Sequence, residues 1–354
     1  MKSAENITSH EYANIVTIER TCSGISLLGC FFIIITFLTT TAFRKPINRL
    51  VFYASLGNIF TNLATLISRS ALADPDGRFC QFQAFLIQMF LPADAYWTLA
   101  MACNVMCAFF FHFDVVELRQ LEKWYILLCY GLPFIPAFVF FFVHTKNRGS
   151  MYGGAVSWCW IKTKWGLWRL WSFYVPVWIT ISITIIIYTF AGKKIFDKRR
   201  ELMRANERIS PDSLPKARRE KSRSSQTELL PTTNSAEESS SDKPSRPGLP
   251  PAQPSYTSVH PNKQANAAMW AYAKVSLLFF LAMMITWIPS TANRIYSILY
   301  PGMVNMSLQY ISVFVLPLQG FWNASIYVIT SMDACRVLWK KLGEPVVIFK
   351  GGGG

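Results

Sequence analysis

One aspartate inside a long apolar stretch has the clearest chemical potential in this sequence. Asp94 lies about 14 residues after Cys80, so a helix rising about 1.5 Å per residue would carry it about 21 Å into that stretch. An ionisable group at such depth in a membrane is costly, and its presence indicates a functional role. Asp94 fits a ligand counter-ion, a protonated structural donor or a member of a switch network, and the sequence leaves these three roles open.

Two arginines near the ends of apolar stretches suit the binding of an anion. A guanidinium group pairs with phosphate or carboxylate through two hydrogen bonds, so Arg69 and Arg294 could hold an anionic ligand. The alternative is that both side chains extend to the lipid headgroups. Aromatic side chains could line the same pocket, although each also fits ordinary packing or an interfacial anchor. The full set of ligand-pocket candidates is Arg69, Gln88, Asp94, Trp97, Trp171, Tyr174, Trp287 and Arg294.

Amide side chains accompany Asp94 in the apolar stretches. Hydrogen bonding between helices is the ordinary role of such amides in a membrane, and it is the role that we favour. The predicted intramembrane polar network consists of Asn58, Asn62, Asn104, Gln319 and Asn323.

Catalytic and cofactor chemistry finds no support in the residue pattern. The four histidines fall outside the middle of the apolar stretches, on both sides, so a zinc site cannot be assembled from them without a large rearrangement. They are His10, His112, His144 and His260. The last apolar stretch, 306–330, contains no lysine that could form a retinal Schiff base. We therefore expect neither an enzyme, nor a cofactor, nor a metal site.

Seven apolar stretches must position these side chains. A bilayer core of about 30 Å requires roughly 20 apolar residues in a helix, and a helix satisfies its own backbone hydrogen bonds in lipid. The stretches are 23–43, 50–72, 82–111, 124–143, 169–191, 268–290 and 306–330. Of the 354 residues, 52% are hydrophobic and 16% are charged. The sequence thus predicts an all-α membrane protein with a seven-transmembrane helix bundle.

The distribution of lysine and arginine predicts an N-terminus outside the cell, because basic residues near membrane ends favour the cytoplasm. The cytoplasmic segments are then 44–49, 112–123, 192–267 and the tail from 331. Basic residues in the outer loops run against this rule at Lys146, Arg148, Lys162 and Lys164. The net charge of +15 lies mostly at helix ends and in one loop, which fits anionic lipids and a cytosolic partner better than nucleic acid.

Composition divides the chain into segments with different expected roles. The polar N-terminal tail has no signal-peptide core and carries a glycosylation sequon at Asn6. The long polar loop cannot bury enough apolar area to offset its ordering entropy. Its serines beside basic residues suit a kinase, although an unmodified linker fits equally well. The segments are an extracellular tail at 1–22, helices one to five with a cytoplasmic extension at 23–204, a disordered third inner loop at 205–264, helices six and seven at 265–330, an amphipathic helix and tail at 331–350, and a linker scar at 351–354.

Cysteine and proline positions predict a fixed outer end and a movable inner end. Cys80 and Cys159 both face the oxidising side in this topology, so a disulfide between them would pin the second outer loop over the bundle. Pro289 removes a hydrogen bond near the outer end of the sixth helix and kinks it. Such a helix can swing at its inner end, although a static kink is the alternative.

Three motifs carry a resemblance to a known family. They are AYWTLAMACN at 95–104, TWIPSTANR at 286–294 and PLQGFWNA at 317–324. The inner end of the third helix reads FHFD at 111–114, without the Asp-Arg-Tyr triplet of rhodopsin-like receptors, and the seventh helix reads NASIY at 323–327, without their Asn-Pro start. Over nearly its whole length the chain resembles a G protein-coupled receptor, and within that class the cyclic-AMP-receptor-like receptors of slime moulds and fungi.

The resemblance implies a plasma-membrane receptor that senses an extracellular ligand and activates a heterotrimeric G protein, feeding cyclic-AMP or nutrient and developmental signalling in a fungus. The ligand and the oligomeric state stay open, and kinase or arrestin-like regulators are expected at the third inner loop. Topology places the G-protein contact candidates at Arg44, Lys45, His112, Asp114, Lys193, Lys194, Arg199, Arg200 and Lys274. The alternative function is a multi-pass transporter, which the absence of inverted repeats and of paired broken helices in the sequence disfavours.

Overall fold

The computed structural model describes residues 2–3, 7–155, 157–209 and 261–343. It divides into two units, one of Met1–Ala191 with Asn266–Gly354 and one of Gly192–Ala265. The helices are α1 Ser9–Thr39, α2 Pro46–Ile67, α3 Arg78–Phe90, α4 Ala93–Phe110, α5 Val115–Val139, α6 Gly166–Arg169, α7 Val175–Ile209, α8 Pro261–Leu299, α9 Met306–Val315, α10 Gln319–Thr330 and α11 Met332–Gly343. Three short 3₁₀-helices and one π-helix join them, at Thr41–Phe43, Ser68–Ala73, Thr163–Trp165 and Leu170–Tyr174.

Local capping chemistry sets several of these boundaries. Thr8 accepts a hydrogen bond from the backbone of Glu11, whose carboxylate binds the Thr8 backbone in return, so α1 begins with a capping box. Asp114 and Glu117 form the same arrangement at the start of α5. Pro46 opens α2, where its missing N–H is not needed.

Among the residues that the structure describes, four helices are long and apolar enough to cross a membrane, and a fifth crossing results if the bent pair α9 and α10 counts as one span. The two members of that pair meet at 48°. The third predicted stretch is likewise divided, because α3 ends at Phe90 and α4 begins at Ala93. Pro92 explains this division, since it cannot donate a backbone hydrogen bond to the preceding turn.

Several boundaries differ from those predicted. The helix α1 begins at Ser9, so most of the expected tail at 1–22 is helical, and Glu19 is fully buried. The expected disordered loop at 205–264 contains the end of α7 and the start of α8, while 210–260 lie outside the described residues. The helix after the last apolar stretch spans Met332–Gly343, and the remainder of the tail with 351–354 is likewise outside them.

Short antiparallel strand pairs, two of them hairpins, lie at one end of the first unit. The strands are β1 Lys2–Ser3, β2 His144–Thr145, β3 Gly149–Ser150, β4 Tyr152–Gly154, β5 Cys159–Ile161 and β6 Met303–Val304, paired as β1–β6, β2–β3 and β4–β5. The hydroxyl of Tyr152 donates to the Ala137 carbonyl at 2.8 Å, so β4 lies against the end of α5. We call this the hairpin end of the bundle.

Close packing joins α1 to α10 in the middle of the bundle. A side chain at Gly320 would place its Cβ 2.4 Å from the sulfur of Cys30, so only glycine permits this approach. The Phe321 amide donates to Ser26 Oγ at 3.1 Å across the same contact. Small residues serve this purpose widely in membrane helix pairs. The outer faces of the helices carry exposed apolar side chains, among them Leu28, Leu127, Ile186, Ile288 and Phe314, which suit contact with acyl chains.

Candidate ligand cavity and intramembrane polar network

A cavity of about 120 Å³ lies at the hairpin end. Its walls come from the β4–β5 region, the end of α6, the π-helix before α7, helices α8 and α9, and β6. The side chains used in the argument below are Trp160, Arg169, Tyr174, Asn293, Arg294 and Gln309.

Two guanidinium groups face this cavity. The side chain of Arg169 is 6% exposed, donates from Nε to the Ile161 carbonyl at 2.6 Å and lies 5.4 Å from the Trp160 ring centroid. Arg294 lies 5.8 Å from the Tyr174 ring centroid. Within the described residues, Arg169 Nη2 and Arg294 Nε are buried without a hydrogen-bond partner. The described lining contains no carboxylate. The two arginines therefore keep N–H donors that could bind an anion.

A chain of amides closes one side of the cavity. Asn293 donates to Gln309 Oε1 at 3.0 Å, and Gln309 donates to Ser157 Oγ at 2.7 Å. The chain ties α8, α9 and the β4–β5 connection together. A ligand in the cavity would therefore contact three segments whose relative positions this chain fixes.

The predicted pocket residues divide into lining, supporting and distant groups. Tyr174 and Arg294 line the cavity. Gln88 supports it, because its Oε1 accepts from Trp160 Nε1 at 2.9 Å. Trp287 is buried and lies 5.7 Å from Phe173 between ring centroids.

The other pocket candidates do not line this cavity. Trp171 is 64% exposed, because the π-helix turns it away from the bundle. The Arg69 guanidinium lies 3.7 Å from the centroid of the Tyr12 ring. Trp97 stacks on Tyr53 with centroids 5.7 Å apart. Asp94 belongs to the polar network described below.

Arg169 was missed by the sequence analysis. It follows the aromatic segment WGLW at 165–168, where an arginine reads as a surface residue beside the membrane. Its burial depends on β5, whose Ile161 carbonyl accepts its hydrogen bond. A signal was nevertheless present, since Arg169 precedes the predicted pocket residue Tyr174 by little more than one helical turn.

A disulfide between Cys80 and Cys159 attaches β5 to the start of α3. The Cys159 amide also donates to Gln83 Oε1 at 2.9 Å. At the exposed edge of the hairpin, Lys162 Nζ lies 2.6 Å from Asp76 Oδ1. This hydrogen bond and the charge of Lys162 lower the pKa of Asp76.

The intramembrane polar network is centred on Asp94. Asn58 and Asn323 each donate to Asp94 Oδ1, at 2.9 and 2.8 Å. Asn62 donates to Ser26 Oγ at 3.0 Å, and so extends the network to α1. Asn104 lies apart from these groups and accepts from the Tyr125 hydroxyl at 2.8 Å.

The two interrupted helical stretches meet beside this network. Gln319, the first residue of α10, is within 3.5 Å of the Leu91 carbonyl, which lies between α3 and α4. The sequence predicted no paired broken helices. The structure has one bent pair, α9 with α10, whereas Leu91 and Pro92 between α3 and α4 keep right-handed helical backbone angles. Asp94 lies one residue into α4, so the carboxylate is next to both interruptions.

The G-protein contact candidates lie near helix ends or beyond Ala191. Arg44 donates to the Phe37 and Leu38 carbonyls at the end of α1, and Lys45 donates to the Thr330 carbonyl. Asp114 caps α5, and His112 has a left-handed backbone with φ 57°. Lys193, Lys194 and Arg200 lie in the α7 segment of the second unit, and Lys274 is exposed in α8. The side chain of Arg199 and the sequon residue Asn6 are outside the described residues.

Comparison with known proteins decides the family. The model of the slime mold cyclic AMP receptor family matches residues 6–207 of the 354. The chain belongs to this family. It is therefore a member of a receptor family rather than of an enzyme family, as the sequence analysis predicted.

Individual relatives agree with this placement. The chain is 25% identical over 173 residues to Cyclic AMP receptor-like protein A of Dictyostelium discoideum, covering 49% of this chain and 43% of that protein. It is 29% identical over 172 residues to Cyclic AMP receptor 2 of the same organism, covering 45% and 42%. It is 23% identical over 206 residues to G-protein coupled receptor 1 of Arabidopsis thaliana, covering 57% and 59%. The chain spans about half the length of the curated relatives it matches.

The fold agrees with the family. The structure of squid rhodopsin superposes with a TM-score of 0.60, at 11% identity, over 95% of this chain and 87% of rhodopsin. This member of the cyclic AMP receptor family thus has the helix-bundle fold of a G protein-coupled receptor, and its apolar helices make it a multi-pass membrane protein.

Proposed function

We propose that this receptor binds an anionic extracellular ligand between Arg169 and Arg294 and activates a heterotrimeric G protein at the opposite end of the bundle. The observation that carries the proposal is a pair of arginines in a cavity whose described lining has no carboxylate. Arg169 is buried and Arg294 is half-buried, and each has one buried nitrogen without a hydrogen-bond partner among the described residues. A buried cation without a counter-ion is costly. A phosphate or carboxylate group would remove that cost and would occupy the donors in bidentate geometry.

Family membership supports a phosphorylated ligand. Relatives carry the name Cyclic AMP receptor, and their ligand is a cyclic phosphodiester with an aromatic base. The cavity offers the rings of Trp160 and Tyr174 beside the guanidinium groups, which suits both parts of such a molecule. Cyclic AMP is therefore the first probe.

The proposed orientation places the hairpin end outside and the residues at 40–46 and 111–119 in the cytoplasm. The excess of lysine and arginine at the end of the bundle that contains 40–46 and 111–119 supports this orientation. G-protein contacts are assigned there to Arg44, Lys45, His112, Asp114 and Lys274, and to the α7 segment with Lys193, Lys194, Arg199 and Arg200. The plasma membrane is the proposed location, since the ligand is extracellular.

The test is guanine-nucleotide exchange on a co-expressed Gα subunit in membranes, with cyclic AMP, other phosphorylated compounds and carboxylates as ligands. We expect an anionic ligand to stimulate exchange, and Arg169→Gln or Arg294→Gln to raise its half-maximal concentration at least about tenfold, because each removes a charge-assisted pair worth about 1.5–3 kcal/mol. Arg148→Gln is the matched control, because Arg148 lies on Trp165 outside this cavity. Equal sensitivity in both cavity variants and wild type would overturn the ligand assignment.

The bent pair α9 and α10, whose residue Asn323 bonds the intramembrane Asp94, favours ion-coupled transport as the second candidate function. Uptake of a labelled substrate by proteoliposomes, abolished by Asp94→Asn, would support transport. Receptor-dependent nucleotide exchange without flux would support signalling.

A further inference from the structure

A second charged cavity, of about 160 Å³, lies at the end of the bundle away from the hairpins. It is enclosed by the segment between α1 and α2, the start of α2, the side of α4 and the first turns of α5. The residues on which the argument depends are Arg44, Arg49, Val115, Arg119 and Glu122. We call it the basic cavity.

The charge of the basic cavity is only partly neutralised. Arg49 donates to both carboxylate oxygens of Glu122, at 2.7 and 2.6 Å, and the Tyr53 hydroxyl donates to the same group at 3.2 Å. The charge of Glu122 is thus neutralised by its ion pair with Arg49. Arg44 and Arg119 form no ion pair with any carboxylate in the described part of the chain.

The two remaining arginines differ in how they are held. Arg44 donates to the Phe37 and Leu38 carbonyls at 3.2 and 2.6 Å, which fixes its guanidinium at the end of α1 without neutralising it. Arg119 is exposed on the second turn of α5. The cavity therefore presents one fixed and one adjustable cation to an anion.

Apolar surface adjoins this charge. Val115 forms part of the cavity wall and is 60% exposed. Phe111 and Val116, close to Val115 in the chain, are exposed to 62% and 63%. A soluble anion would gain nothing from such a surface, whereas an amphiphile would cover it with its acyl chains.

We propose that the basic cavity binds the headgroup of an anionic phospholipid, with its phosphate on Arg44 and Arg119 and its acyl chains against the exposed apolar side chains at the start of α5. The guanidinium group of arginine matches phosphate through two parallel hydrogen bonds. Arg49 and Glu122 form part of the cavity wall, and their ion pair holds Arg49 in place. In the proposed orientation this end faces the cytoplasmic leaflet, where anionic lipids are concentrated.

The experiment measures lipid retention by the purified full-length protein, in nanodiscs of phosphatidylcholine containing phosphatidylinositol 4-phosphate, followed by native mass spectrometry. We expect wild type to retain the anionic lipid selectively. Arg119→Gln should reduce retention about fivefold, as expected for one arginine near a membrane surface. This difference in lipid retention between Arg119→Gln and wild type should disappear in high salt, because exposed charges are then screened.

Arg336→Gln provides the control for charge. Arg336 lies in α11, is 74% exposed and approaches Asp333, and it has no place in the wall of the basic cavity. A loss of retention equal to that of Arg119→Gln would show general electrostatic attraction and overturn the site. Competition by water-soluble inositol 1,4-bisphosphate as strong as by the intact lipid would overturn the role of the apolar surface.

G-protein binding at the same cavity is the competing outcome. If Arg119→Gln lowers nucleotide exchange equally in pure phosphatidylcholine and in the anionic membrane, and lipid retention is unchanged, the cavity serves the protein partner and the lipid proposal is wrong. Lipid retention is measured without ligand or G protein, so its result is independent of the proposed receptor function.

Discussion

Asp94 accepts hydrogen bonds from two amides with a single oxygen, and this detail makes its role testable. Asn58 and Asn323 both donate to Oδ1, so an asparagine at this position could still accept both bonds through its own amide oxygen. A leucine could accept neither, and it would leave two buried donors without a partner at a cost of about 1–3 kcal/mol each.

We therefore expect Asp94→Leu to lower the melting temperature strongly and Asp94→Asn to lower it little, as measured by thermal unfolding of the purified receptor in detergent. Asn104→Leu is the control for placing a leucine at another polar position of α4, because Asn104 accepts its hydrogen bond from Tyr125, away from the network around Asp94. Equal melting temperatures for the leucine and asparagine variants at 94 would show that the two amide bonds contribute nothing to stability.

Residue types alone marked two of the side chains that line the candidate cavity. Arginine beside aromatic residues in an apolar sequence is unusual enough to mark Arg294 and Tyr174, and both line the cavity. Arg169, which also lines that cavity, was not recognised, and neither was Glu19, which is buried elsewhere in the bundle. Each lies near the end of an apolar stretch, where charge is unremarkable. Their burial follows from distant partners, Ser68 for Glu19 and the Ile161 carbonyl for Arg169.

At the scale of helices, Tyr188 and Ser276 share a hydrogen bond between α7 and α8. The ring of Tyr188 also packs on Phe280, with centroids 5.3 Å apart. If activation moves the inner part of α8 away from α7, this bond stabilises the inactive state. Removing it should shift the two-state equilibrium by the net value of one hydrogen bond, about 0.5–1.5 kcal/mol.

Tyr188→Phe keeps the ring and removes the hydroxyl, so we expect ligand-independent nucleotide exchange to rise roughly 2- to 10-fold. Ser276→Ala should have the same effect, and the double variant should add nothing further. Trp178→Phe is the control, since it breaks a bond of 3.0 Å to Thr291 between the same two helices near the hairpin end. Unchanged or lower basal exchange in Tyr188→Phe would contradict this role.

Helix boundaries were the part of the fold least accessible from the sequence. The capping pattern of Thr8 and Glu11 was readable, yet the polar composition of the tail concealed that α1 begins at Ser9. The interruption at Pro92 follows from proline chemistry. The interruption between α9 and α10 likewise contains a proline, Pro317. The contact of Gln319 with the Leu91 carbonyl is not encoded by any local pattern.

At the scale of the molecule, the disulfide between Cys80 and Cys159 connects the fold to the ligand cavity. Cys159 begins β5, which also provides Trp160 and the Ile161 carbonyl that holds Arg169. The pairing could be predicted because both cysteines lie on one side of the expected topology. The cavity behind it could not, since it requires β5, the π-helix and α8 to meet.

This connection predicts that loss of the disulfide affects ligand binding more than signalling by the empty receptor. The bond spans 79 residues, and closing a loop of that size contributes roughly 4 kcal/mol in the chain-entropy account. We expect the double variant Cys80→Ser with Cys159→Ser to unfold at a lower temperature. Where it still folds, Arg169 should lose its fixed position, and the half-maximal ligand concentration should rise at least about tenfold.

The comparison that separates positioning from folding is made in one preparation of surface-expressed receptor. Basal nucleotide exchange reports the folded inner end, and ligand-stimulated exchange reports the cavity. Cys335→Ser is the matched control, because Cys335 is a free thiol in α11. Basal exchange that persists while stimulation is lost would support a disulfide that acts by holding β5 at the candidate cavity. If both persist unchanged, the hydrogen bond from Cys159 to Gln83 is sufficient to hold β5, and the predicted role of the disulfide is wrong.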